Sequence, residues 1–235
     1  MIWKRKKTIA VVLYPGMTAL DVVGTMEAMI WINANSPYRT VTVAARKELI
    51  QTDTPLQMLP NYTFSEVPEP FGVIIPGSDA AEPTAPDEAL RRYVQSTASS
   101  AELVASVGAG SLILGAAGVL TGRRATTHWR FAGQLADYGV HYVRERWVED
   151  GKFVTAAGVT AGIDLGLYLV GKLTTVGKAR NAQLIIEYDP QPPFGGIDWD
   201  RASGNVNSVA TIRNGVRETS AAELVTTTRT LEVTS

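Results

Sequence analysis

The amino-acid sequence predicts an α/β fold, a three-layer sandwich in which helices cover both faces of a mostly parallel central sheet. Three observations predict it. Short apolar runs of strand length alternate along the chain with longer amphipathic segments, the pattern of strand–helix–strand units. The runs are apolar at successive positions, as in strands buried on both faces. The chain has 235 residues, 45% of them hydrophobic, which suits one large α/β domain with a sizeable core.

The elements follow in order. Thr8–Leu13 is β-branched and apolar and stops at Tyr14-Pro15-Gly16, so it reads as a buried strand. Thr18–Ile32 carries Leu20, Val23, Met26, Met29 and Ile30 at helical spacing and reads as one helix. Thr40–Ala44 and Gly72–Pro76 are strands. A helix begins at Pro86-Asp87 and runs to Ala98, with Asp87 at its positive end. Glu102–Val107 is a strand, and Ala109–Leu120 is a helix of small residues able to pack closely on a sheet. His141 sits in a strand pattern with Val140 and Tyr142. Lys152–Thr155 is a strand, Thr160–Leu173 a helix with Ile163, Leu167 and Val170 on one face, and Val176–Glu187 a further helix. Asp189–Gly196 is rich in turn residues. The main domain is expected to span 1–195. Residues 196–235, rich in Thr and Ser, are expected as an extension packed on that domain or trailing from it.

Composition removes several function classes. Twenty-two Lys and Arg against 23 Asp and Glu give a net charge of −1, which offers no field to recruit nucleic acid or an anionic membrane. There is no Cys and there are two His, so Cys-ligated metal, disulfides, thiol catalysis and a His-rich metal site are all disfavoured. The basic start Lys4-Arg-Lys-Lys7 precedes an apolar run too short for a signal peptide and reads as a solvated tail; a cytoplasmic protein is expected. No cofactor is expected: the phosphate-loop, EF-hand and His-x-x-x-His spacings do not occur. The five Trp are dispersed and form no stacking platform in sequence.

The turn at Gly108-Ala109-Gly110 carries most of the functional information. It joins a strand to a helix, and three readings compete. A dinucleotide fingerprint needs an acidic residue about 20 positions on, where Thr126-Thr-His-Trp-Arg130 stands instead. A nucleophile elbow needs an exposed side chain at the bend. Ser111, with His128 and Asp164 as triad partners, is the candidate, but it falls inside the first helical turn. The third reading is an elbow whose nucleophile is replaced by glycine.

Five motifs in order carry a resemblance that bears on this choice. They are Tyr14-Pro-Gly-Met-Thr-Ala-Leu-Asp-Val-Val-Gly24, Ile75-Pro-Gly77, Ser106-Val-Gly-Ala-Gly-Ser-Leu-Ile-Leu-Gly-Ala-Ala-Gly118, Gly122-Arg-Arg-Ala-Thr-Thr-His-Trp129 and Gly158-Val-Thr-Ala-Gly-Ile-Asp-Leu165. Over roughly residues 8–195 the chain resembles the isocyanide (isonitrile) hydratase branch of the ThiJ/PfpI superfamily. The resemblance implies a class I glutamine-amidotransferase-like, flavodoxin-like fold and a homodimer. It implies a nucleophilic cysteine at position 108, an acid beside it at Asp21, and anion-stabilising amides near Gly77 and Ser78. In such hydratases the thiolate attacks the isocyanide carbon, the acid protonates it, and water releases an N-substituted formamide.

This chain departs from that pattern where the chemistry sits. Gly108 offers no nucleophile, Ala109 replaces a hydroxyl residue, and Pro76-Gly-Ser-Asp79 replaces Pro-Gly-Gly. A glycine relieves the strain of positive φ at such an elbow, worth about 1–3 kcal/mol for other residues, and leaves a thiol-sized space facing Asp21. Two functions follow. The chain is a disarmed hydratase, or a lyase or isomerase acting on a small apolar molecule with Asp21, its pKa raised by desolvation, moving the proton. The alternative is a non-catalytic small-molecule binder or sensor; the tail after the core is too short and too weakly apolar for a DNA-binding region. Gly77, Ser78, Ala109, Gly110, His128 and Thr160 are the expected substrate-binding residues, with amides at the start of the Ala109 helix facing an anion. Plainer roles compete: a dipole-facing carboxylate for Asp21, a structural imidazole for His128, helix capping for Thr160, and capping or dipole stabilisation for Asp164.

Overall fold

The computed structural model describes residues 6–33, 36–78 and 88–199. The chain divides into two compact units, 1–188 and 189–235. In the second, the turn-rich stretch closes with Gly195 N–H donating to Pro192 O at 3.1 Å. The extension expected at 196–235 falls almost wholly outside the described residues, as do the tail at 1–5 and the helix start at Pro86-Asp87.

The first unit runs β1 (Lys7–Val12), α1 (Ala19–Ala28), α2 (Ile30–Asn33), β2 (Tyr38–Ala44), β3 (Ile50–Gln51), β4 (Gln57–Met58), β5 (Tyr62–Thr63), β6 (Gly72–Ile75), α3 (Glu88–Ser100), β7 (Leu103–Val107) and α4 (Gly110–Ala116). It continues with β8 (Arg124–Ala125), α5 (Ala132–Asp137), β9 (His141–Tyr142), β10 (Trp147–Asp150), β11 (Phe153–Ala156), α6 (Ala161–Leu173) and α7 (Val176–Ile185). Seven strands form the central sheet in the order β10-β11-β7-β6-β1-β2-β5. All its pairs are parallel except the β10–β11 edge. The α/β sandwich expected from the alternation of segments is therefore the fold.

Side chains alternate along the strands and build a core on each face. Ala10, Val12 and Val104 face Leu90 of α3 and Leu112 of α4. Ile9, Val11, Ala105 and Val107 face Val22 of α1 and Leu165 of α6. The helix expected over Thr18–Ile32 breaks at Met29, which caps α1 ahead of the short α2. Its inward face also differs from the expected stripe: Leu20 and Val23 are 43% exposed and Ile30 48%, while Ala19, Val22, Gly24, Thr25 and Ala28 are buried.

Close packing explains that choice. A Cβ at Gly166 would lie 2.6 Å from Ala28 Cβ, and one at Gly162 2.6 Å from Thr25 Oγ1. The α1–α6 crossing thus selects small residues, which bring two backbones together, and leaves Leu20, Val23 and Ile30 outside, while Met29 of the expected stripe is buried. Helix α4 ends at Ala116, short of the expected Leu120. Gly118 has φ +75, its N–H donates to Gly115 O, and Val119 N–H donates to Leu114 O. That pair of bonds around a left-handed glycine is a Schellman stop.

Candidate active site

The carboxyl ends of β1, β6, β7 and β11 bring Asp21, Gly77, Gly108 and Ala157 together. Leaving β1, the chain turns through Tyr14-Pro15-Gly16 and enters α1, so that Asp21 lies in its first turn. There Asp21 is 1% exposed and its Oδ2 accepts the Gly77 N–H at 2.7 Å. Gly77 follows β6 and must be glycine. A Cβ there would stand 2.6 Å from Ala109 N and 2.9 Å from Asp21 Oδ2.

Gly108 has φ +55, the left-handed conformation expected of the elbow. Four bonds hold its peptide groups. Its N–H donates to Ala157 O at 2.8 Å and to Ala156 O at 3.2 Å. Its carbonyl accepts from Thr127 Oγ1 at 3.1 Å and Ser111 Oγ at 3.2 Å. A side chain at 108 would begin 3.2 Å from Asp21 Oδ2 and 3.8 Å from Ala157 O. The space that a nucleophile would fill therefore opens directly onto the Asp21 carboxylate.

The other readings of the turn fail on their own residues. Where a dinucleotide fold needs an acid, Thr127 binds the elbow carbonyl. Ser111 is fully buried with its hydroxyl turned back onto Gly108 O. His128 Nδ1 accepts from Arg130 N, and Asp164 pairs with Arg146 at 2.6 Å and accepts from Tyr188 Oη at 2.9 Å. No serine triad is assembled among them.

The remaining expected residues divide. Ala109 is the N-cap of α4 and is buried, and its amide stands over Gly77. Gly110 is a packing residue, since a Cβ there would lie 2.2 Å from Ile75 O. Ser78 Oγ donates to Gly16 O at 2.9 Å and ties the β6 loop to the β1 loop. The Gly77 amide, expected to face an anion, is engaged by Asp21 instead. His128 is half-buried at the rim: a Cβ at Gly158, next to Ala157, would lie 3.1 Å from its Cδ2. Thr160 is exposed, makes no cap to α6, and accepts from Arg146 Nη2 at 3.2 Å. Asp164 stands in the first turn of α6, at the positive end of the helix, and both its carboxylate and the Thr160 hydroxyl accept from Arg146. Asp79 lies outside the described residues.

Two residues at the site have no signal in the sequence that assigns them. Tyr14 Oη donates to Pro76 O at 2.8 Å, next to the amide that Asp21 takes. Burial raises its pKa well above the usual phenol value, and the Asp21 and Asp53 carboxylates raise it further. Asp53, on the turn between β3 and β4, accepts the Ala19 N–H at 3.0 Å. A cleft of about 610 Å³ lined by Lys6, Lys7, Arg39, Glu66 and Phe71 opens at the opposite, amino ends of β1 and β2. Among the described residues, no three His, Asp or Glu side chains group as a metal site, and no helix is long and apolar enough to cross a membrane.

A flavodoxin-like sheet with a strand–glycine–helix elbow facing a buried acid defines a class, and family comparison identifies it. The chain belongs to the DJ-1/PfpI family, whose model matches residues 7–172. Among curated proteins it is similar to the isonitrile hydratase of Pseudomonas putida, 37% identical over 199 residues, covering 84% of this chain and 86% of that one. Among solved structures it resembles a ThiJ/PfpI family protein from Pseudomonas syringae, with TM-score 0.80, 33% identity and coverage of 90% and 89%. Drosophila melanogaster DJ-1beta shares the fold at TM-score 0.69 and 19% identity, over 77% of this chain and 98% of that one. The resemblance read from the five motifs is thus to the right family.

Proposed function

We propose that the chain is an isonitrile-hydratase-like lyase that adds water to a small apolar substrate without a covalent enzyme intermediate, with Asp21 as its proton-transfer residue. One observation carries the reading. The Asp21 carboxylate, 1% exposed, faces the space where the chain lacks a side chain at 108. Covalent attack by the protein at that position has no group to perform it.

With an isocyanide, the water oxygen bonds to the terminal carbon as Asp21 accepts a proton from the water. Asp21 then returns that proton to the same carbon, giving R–N=CH–OH. This imidic acid tautomerises to R–NH–CHO, so one water and one isocyanide yield one formamide. A positioned acid/base group of this kind contributes typically about 10²–10⁴ in rate.

The test compares the chain with its Gly108→Cys variant on methyl, cyclohexyl and phenyl isocyanides, following formamide by chromatography. Formamide from the unaltered chain is the expected result. The variant's Cβ stands 3.2 Å from Asp21 Oδ2, which must yield by a few tenths of an ångström. Formamide from the variant alone would mean a disarmed hydratase and overturn acid/base turnover by this chain. Tight isocyanide or formamide binding with no turnover by either would favour a sensor.

The proposal includes a homodimer. Leu20 and Val23 of α1 present apolar surface beside Ile163 of α6, with Ile163 Cγ1 3.1 Å and Leu20 Cδ1 3.4 Å from the Gly24 Cβ position. Such a patch on a protein surface suits a protein partner, and an isologous contact through it would join two copies beside their sites. Sedimentation is expected to show a dimer, and Val23→Glu a folded monomer with unchanged circular dichroism. A monomeric parent would remove this part of the proposal.

A further inference from the structure

We infer that Asp53 is a positioning residue: from the β3–β4 turn it caps helix α1 and thereby fixes Asp21 at the elbow. The first four N–H groups of a helix have no partner within it. Thr18 holds the N-cap position of α1 but makes no side-chain cap hydrogen bond. The Ala19 N–H goes instead to Asp53 Oδ1, 34 residues further along the chain.

The contact is reciprocal. Asp53 N–H donates to Met17 O at 2.9 Å, so one residue accepts on one side of Thr18 and donates on the other. Gly16 N–H donates to Gln51 O at 2.8 Å and adds a second rung to the brace. On the far side, Thr18 N–H donates to Gly77 O at 2.8 Å while Gly77 N–H donates to Asp21 Oδ2. Asp21 is therefore held from two directions, by Gly77 at its carboxylate and by Asp53 two residues before it in the helix.

Displacing a reacting group by about 1 Å can cost on the order of 10²-fold in rate. Position is the quantity that Asp53 controls. Its importance to turnover rests on the reading of Asp21 given above; its effect on where Asp21 stands does not.

The test therefore has an arm that needs no substrate. Amide hydrogen exchange and the Gly77 amide proton resonance are compared in the parent, Asp53→Ala and Asp53→Asn proteins. Asn retains an oxygen able to accept from Ala19, and Ala does not. In Asp53→Ala, exchange at Ala19–Asp21 is expected to rise at least tenfold and the Gly77 resonance to move, with Asp53→Asn close to the parent. Asp53→Ser, whose hydroxyl is one bond shorter, is expected to follow Ala and replaces it if that variant does not fold.

An unmoved Gly77 resonance in Asp53→Ala, or an Asn variant that behaves like Ala, overturns the inference. In the kinetic arm, kcat is expected to fall about tenfold or more in Asp53→Ala at unchanged KM, with rescue by Asn. If Asp21→Asn leaves turnover intact, the functional reading fails by itself, and the resonance arm still decides the role of Asp53.

Discussion

Asp21→Asn is expected to lower turnover by about 10²–10⁴ with KM nearly unchanged, because it removes the proton carrier and leaves the shape of the site. Asparagine has nearly the same volume, and its Oδ1 can still accept the Gly77 N–H now held at 2.7 Å. The fold should persist. A second, spectroscopic readout accompanies the kinetics. The buried Tyr14 phenol is raised first by burial and then by the negative charges of Asp21 and Asp53. A negative neighbour opposes formation of a phenolate, so removing one makes Tyr14 easier to ionise. In Asp21→Asn the Tyr14 titration, followed as tyrosinate absorbance, is expected to move to lower pH while staying above the ordinary phenol value, since burial remains. Full turnover in the variant would end the proposed mechanism. An unmoved Tyr14 titration would mean that residue 21 carries no charge in the parent at the pH where Tyr14 ionises.

What the sequence discloses about this site follows from the range of the interactions. The strand–glycine–helix turn is legible locally, and Gly108 stands there at φ +55, but only the resemblance carried by the five motifs marks it as a nucleophile's elbow. The strands are legible because burial on both faces leaves unbroken apolar runs such as Thr8–Leu13. The face of α1 is misread at Leu20, Val23 and Ile30 because hydropathy rewards large apolar residues. The α1–α6 crossing instead rewards small ones, and Gly24, Thr25 and Ala28 meet Gly162, Ile163 and Gly166 there. Thr160 and Asp164 have the residue types and positions of helix-start groups. Arg146, on another segment, bonds to both, and nothing near them in the chain announces it. Asp53 is the extreme case, a cap 34 residues from the helix it serves. Local pattern thus finds the backbone of the site, while the side chains that orient it from a distance appear only in three dimensions.

The largest stability effect is expected from Gly110→Ala, a change that hydropathy and helix propensity would favour. Alanine is the best helix former, gaining roughly 1 kcal/mol over glycine inside a helix. Here the new Cβ would stand 2.2 Å from Ile75 O, 2.9 Å from Pro76 O and 3.0 Å from Ile75 C. All three are backbone atoms of the end of β6, which cannot turn aside as a flexible side chain can. Either α4 lifts from the sheet or β6 shifts, and overpacking of this kind costs about 3 kcal/mol or more. At about 2–4 °C per kcal/mol for a domain of this size, the melting temperature should fall by roughly 6–12 °C. Gly118→Ala is the control: φ there is +75, but nothing lies within 4 Å of the added Cβ. Its cost is backbone strain alone, about 1–2 kcal/mol, a drop of roughly 2–8 °C. Melts in which the 110 variant loses no more than the 118 variant would show that α4 does not press on β6. The same displacement would carry Ala109 and Gly108 away from Asp21, so Gly110→Ala should lose turnover at temperatures where it is still folded. Gly118→Ala, on the far end of the helix, should retain it.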